Sequence, residues 1–196
     1  MLAERFVGLM LIAAMGPAVL CAGEGKEAGS TRPGWAEFEA NVQRYMEVRK
    51  TAVKPVGELK RKADPGSVIA HEQALAAAIR KARPDAKVGD ILTPGARKYF
   101  QGLTSKQVRA PGGAAVKDTI KQGNPATENE GADVALKVNG TYPKAAPKST
   151  MPPSLLARYP KLPKELEYRF IGRTLVLLDV AANLIVDYAP QVGPAQ

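Results

Sequence analysis

The chain is poor in the residue types on which site chemistry most often rests. Its 196 residues include one cysteine, Cys21, and one histidine, His71. A single cysteine excludes an intrachain disulfide framework and a thiolate metal cluster. A single histidine excludes a two-histidine metal site and a histidine dyad. No serine stands in a Gly-x-Ser-x-Gly elbow, and there is no Gly-x-x-x-x-Gly-Lys phosphate loop. Long apolar runs are also missing. The clearest one, Phe6–Met15, is short for a membrane-spanning helix and is followed by Gly16-Pro17.

Acidic residues are in the minority: 19 Asp and Glu face 28 Lys and Arg, a formal net charge of +9. Such a chain is attracted to anionic surfaces, whether lipid head groups, cell-wall polymers or nucleic acid. Specific nucleic-acid recognition needs a base-reading basic helix or basic and aromatic residues on one sheet face. Neither is present. The cations are spread along the chain, as in Lys60-Arg61-Lys62, Arg80-Lys81 and Arg97-Lys98. They read as a solvated basic surface, and no specific nucleic-acid partner is expected.

What is present begins with an export signal. Arg5 and the amino terminus precede the uncharged run Phe6–Met15, Gly16-Pro17 breaks the helix, and Ala22 supplies a small residue for cleavage. Residues 1–22 are therefore read as a signal peptide and the protein as exported, periplasmic or extracellular. Glu4 and Arg5 cancel, so the mature chain keeps +9 and has no expected transmembrane span. Two alternatives are retention of the run as an anchor and lipidation of Cys21, which follows Ala18-Val19-Leu20.

Residues 23–34 are Gly-rich and polar and read as a flexible linker. Residues 35–192 read as a single domain, since 45% hydrophobic and 24% charged residues fit a folded globule. Trp35, Phe38, Val42, Tyr45 and Met46 make an apolar stripe on a helix over about 35–52. Asp64-Pro65 and Thr93-Pro94 are helix starts: a capping side chain, then proline at the first position. The first leads an Ala-rich helix to Arg83, with Ser67 as a second capping candidate. The second leads a short amphipathic helix to about residue 105. A weaker helix is expected over 114–121 and an exposed loop over 122–133.

Six prolines between 143 and 163 forbid long regular structure, so an extended path across the surface is expected, with one helical turn at Ser154–Arg158. The end of the chain carries the clearest pattern. Tyr168 and Phe170 alternate with Glu167 and Arg169, Gly172-Arg173 suits a two-residue hairpin, Thr174–Leu178 is apolar on both faces, and Leu184–Tyr188 forms a third strand. The fold class expected is α+β: three or four N-terminal helices packed on a C-terminal three-stranded antiparallel meander.

Candidate polar-site residues are few. They are His71 on the second helix and Asp179 and Asp187 near the ends of meander strands. Glu128 and Glu130, and Asp85 and Asp90 around Gly89, have no spacing tied to a mechanism. Gly112-Gly113 offers at most a weak anion-binding helix start. Asn139-Gly140-Thr141 matches a glycosylation sequon and also reads as a turn. No catalytic set, metal-ligand set or cofactor emerges.

The block Leu162-Pro163-Lys164-Glu165-Leu166-Glu167-Tyr168-Arg169-Phe170-Ile171-Gly172-Arg173, with Leu184-Ile185-Val186-Asp187 after it, resembles the ending of a group of exported bacterial proteins of unassigned function. It is also similar to the C-terminal module of periplasmic nickel/cobalt-homeostasis proteins. The resemblance covers the last 35 or so residues and, more loosely, Gly89-Asp90-Ile91. It implies an envelope location and the meander, and it carries over no catalytic residue. The expectation is a non-enzymatic binding or scaffolding module that meets an anionic envelope surface or another envelope protein. The alternatives are a hydrolase-like enzyme built on His71 or on Asp179 and Asp187, and a metal-homeostasis accessory protein.

Overall fold

The computed structural model describes residues 33–122, 135–143 and 151–194. The expected signal peptide, most of the linker and Glu128 and Glu130 lie outside them. Among the described residues, five helices precede three strands: α1 Pro33–Val53, α2 Pro65–Ala82, α3 Pro94–Arg109, α4 Gly113–Gln122, α5 Pro153–Leu156, β1 Leu166–Ile171, β2 Thr174–Asp179 and β3 Leu184–Ala189.

The helices start where their local chemistry says they should. Asp64 accepts from the Ser67 amide at 3.0 Å and the Ser67 hydroxyl at 2.6 Å, and these bonds hold its carboxyl below its ordinary pKa. Ser67 is thus a donor to the cap and not a cap itself. Thr93 Oγ1 accepts from the Ala96 amide at 3.2 Å. Two boundaries differ from the sequence reading. α1 begins at Pro33, inside the expected linker, because proline is suited to the first helical position. Gly34 is there for contact: a Cβ on it would meet the Gly95 carbonyl oxygen at 2.5 Å, so the starts of α1 and α3 touch backbone to backbone. α3 runs on to Arg109, its buried side Ala96, Phe100 and Thr104 recurring every fourth residue.

The sheet has order β1-β2-β3, and both pairs are antiparallel. Gly172 holds φ +54 in the β1–β2 turn, a left-handed conformation at the first turn position, while Arg173 keeps negative φ. Such a turn matches the twist of the strands it joins. Gly172→Ala is expected to lower stability by about 1–2 kcal/mol, read from the thermal midpoint.

One face of the sheet packs under the helices. Tyr168, Phe170, Leu175, Leu177, Leu184 and Val186 meet Phe38, Ile79 and Phe100 in a single buried cluster. At its heart the rings of Phe100 and Tyr159 lie 4.7 Å apart, and those of Tyr159 and Tyr168 5.1 Å apart, edge to face. The Tyr159 and Thr104 hydroxyls are 2.7 Å apart, and Tyr168 donates to the Pro160 carbonyl at 3.1 Å. The part of the Pro-rich stretch that is described does not simply cross the surface. Met151, Leu155 and Tyr159 are buried in the main core, because proline-limited backbone still presents large side chains inward.

The opposite sheet face is covered too. Ile171, Val176, Leu178 and Ile185 pack with Tyr142 and Leu136. The segment around Asn139 runs along β3: Asn139 N donates to Ile185 O, Ile185 N to Gly140 O, and Tyr142 N to Asn183 O, at 2.8–2.9 Å. This edge pairing was not evident in the sequence.

Candidate functional site

Asp179 ends β2 with its side chain on the helix-facing side of the sheet, and it is 0% exposed. α1 supplies its partners. Tyr45, Arg49 and the core residues Phe38 and Val42 share one buried helical face. Tyr45 donates its hydroxyl to Oδ2 at 2.8 Å. Arg49 donates Nε to the same oxygen at 2.5 Å and Nη2 to Oδ1 at 3.3 Å. The Ala182 amide completes Oδ1 at 3.1 Å and closes the β2–β3 turn. Burial pulls the Arg49 guanidinium toward neutrality, but the bond and charge of Asp179 outweigh it, and the net shift is upward. Burial, then the charge of Asp179, push the Tyr45 phenol far above its ordinary value.

Asp187 is also 0% exposed, and a β-bulge aims it. Leu177 pairs with Asp187 and Leu178 with Ile185, leaving Val186 as the extra residue. The bulge puts Val186 and Asp187 on the same, helix-facing side, where strict alternation would have separated them. The carboxylate then gathers four backbone amides: Gly89 at 3.0 Å and Tyr188 at 2.8 Å on Oδ1, Ile91 at 2.8 Å and Leu92 at 2.7 Å on Oδ2. It ties the loop between α2 and α3 to β3. Burial pushes its pKa above the ordinary carboxyl value, and the four N–H donors pull it part of the way back.

A third knot lies beside these two. The Asn139 side chain donates to the Arg83 carbonyl at 2.7 Å and accepts from Arg83 Nη1 at 3.2 Å; Arg80 donates to the Asn139 carbonyl at 2.7 Å. Arg83 lies 5.0 Å from the centre of the Tyr45 ring. The sequon asparagine therefore sits in a turn, at φ +62, with both amide atoms engaged.

Asp179 and Asp187 lie on one sheet face, two ladder positions apart, since Asp187 pairs with Leu177. Their carboxylates nevertheless serve different elements, and every oxygen is occupied by protein donors. A general acid or base must reach the proton it moves; two carboxylates with no exposed surface do not. His71, half-buried on α2, belongs to neither cluster. Asp90 accepts from the Lys87 amide at 2.9 Å, which is turn chemistry. Gly113 is explained by contact, a Cβ there falling 2.0 Å from the Val108 carbonyl oxygen. Arg49 was missed in the sequence reading. The signal for it is the stripe Phe38, Val42, Tyr45 continuing one turn onto a cation.

A cavity of about 180 Å³, lined by the aspartate partners Tyr45 and Ile91 and by Asn41, Arg83 and Asp90 among others, is small for a ligand site. An apolar groove of about 610 Å³ runs between α5 and β1, and Lys161, Lys164 and Glu167 are the only charged residues in its lining. Among the described residues, no three His, Cys, Asp or Glu side chains group to hold a metal ion, and no helix is long and apolar enough to cross a membrane. No protein-family model, curated protein or solved structure matches this chain.

Proposed function

We propose that this chain is an exported, non-enzymatic envelope protein that binds anionic surfaces through its cationic exterior. One observation carries the reading: among the described residues the only buried carboxylates, Asp179 and Asp187, are sealed and fully bonded, whereas the excess of nine positive charges is carried by the chain as a whole. Lys60, Arg61, Lys62, Lys98 and Lys117 are all exposed, on different elements and connections. Charge of this kind gives long-range attraction that salt screens.

The test is co-sedimentation of the full chain with phosphatidylglycerol vesicles, with phosphatidylcholine vesicles as control. Binding to the anionic vesicles is expected in about 0.02 M salt and its loss in about 0.5 M salt, where screening is nearly complete. Equal binding to both lipids, or no binding at low salt, would overturn the proposal.

A further inference from the structure

A cleft of about 400 Å³ lies where α3, α4, the β1–β2 turn and the end of the chain meet. That volume falls in the range of small-ligand sites. Three cations line it, each from a different element: Arg109 from the last turn of α3, Lys117 from α4, and Arg173 from the β1–β2 turn. Among the described residues, no aspartate or glutamate lines it and none of the three forms an ion pair. Cations brought together without a counter-charge focus a positive potential into the concavity, which favours an anion there.

The far wall is held in place. Gly193 N donates to the Arg173 carbonyl at 2.9 Å. Arg97 donates to the Gln191 side chain at 2.9 Å, and Gln101 to the Gln191 carbonyl at 3.1 Å. A Cβ on Gly193 would sit 3.0 Å from Arg173 Cα, so the tail lies directly against the turn that carries the cation. Exposed Ser105 adds a hydroxyl to the lining.

We infer that this cleft binds a phosphate-bearing anion with at least two negative charges, a diphosphate group being the class that suits its room and its three cations. The inference rests on the anionic-surface reading and gives that reading a site. Two negative charges on phosphate oxygens are offered by a free diphosphate or by two neighbouring phosphodiester head groups, one charge each, on a lipid surface.

The test is calorimetric titration of the full chain with inorganic pyrophosphate at low ionic strength, beside co-sedimentation with phosphatidylglycerol vesicles. The cleft variant is Arg109→Ala/Lys117→Ala/Arg173→Ala. The charge-matched control is Lys60→Ala/Arg61→Ala/Lys62→Ala, exposed residues of the α1–α2 connection. Pyrophosphate affinity is expected to fall more than about tenfold in the cleft variant and to stay within about twofold in the control. Ser105→Glu, which adds a carboxylate to the cleft at an exposed helix position, is expected to weaken it likewise. Absence of pyrophosphate binding by the wild type, or equal loss in both triple variants, would overturn the inference. Vesicle binding without pyrophosphate binding sinks the cleft alone, while a wild type that ignores the vesicles sinks the anionic-surface reading. When pyrophosphate binds, loss of vesicle binding in the cleft variant but not the control assigns the site to head groups. Retention in both assigns it to a free anion.

Discussion

Arg49→Met is expected to destabilise the protein by about 3–5 kcal/mol, because it leaves the Asp179 carboxylate buried without its counter-charge. The side chain keeps its bulk, so a packing void is not the cause. Tyr45 and the Ala182 amide remain as donors, but neither carries charge. Each kcal/mol in a domain of this size moves the thermal midpoint by about 2–4 °C, so a fall of roughly 10 °C is expected. Replacing both partners, Arg49→Met with Asp179→Leu, removes the stranded charge and is expected to recover most of the loss. The recovery stays incomplete, since the Tyr45 hydroxyl and the Ala182 amide lose their acceptor. Scanning calorimetry of the two variants decides the matter. A single variant as stable as the wild type would show that the pair does not hold α1 to the sheet.

Asp187→Ala is expected to cost a similar amount, about 3–4 kcal/mol, by a different route. Four amides lose one acceptor, and an unmet buried donor costs about 1–3 kcal/mol. The total stays below the sum because the freed loop moves and admits water. Asp187→Asn is expected to lose nearly as much, since its NH₂ group faces N–H donors. Hydrogen exchange gives the specific signature: the Ile91 and Leu92 amides are expected to exchange much faster, while the buried amides of α1 keep more of their protection. Uniform acceleration through the molecule would instead point to global loosening.

The fold was legible where local patterns decide it. Tyr168 and Phe170 alternate with charged neighbours, Gly172 marks the turn, and Asp64-Pro65 and Thr93-Pro94 announce two helices, so the helices over a meander could be read directly. What was hidden depends on distant or irregular contacts. The bulge at Val186 reverses the face on which alternation places Asp187. The pairing beside β3 rests on a few bonds from the turn at Asn139, with no alternating run to announce it. Gly34 looked like linker because a close contact with Gly95 leaves no local trace. Asp179 and Asp187 stood out as acids at strand ends, yet their partners come from far away in the chain. Arg49 lies 130 residues from Asp179, and the Ile91 amide 96 residues from Asp187. His71 was singled out only for being unique, and uniqueness fixes no partner.

On the proposed function the labour is divided: buried carboxylates hold the layers together, and the anionic surface is met by exposed cations. The most direct measurement is phosphatidylglycerol co-sedimentation of the Arg49→Met/Asp179→Leu variant beside the wild type at low salt. The expected result is equal binding of two folded proteins, with both released by salt. Loss of binding in a variant that remains folded would contradict it, because the buried cluster would then belong to the functional site.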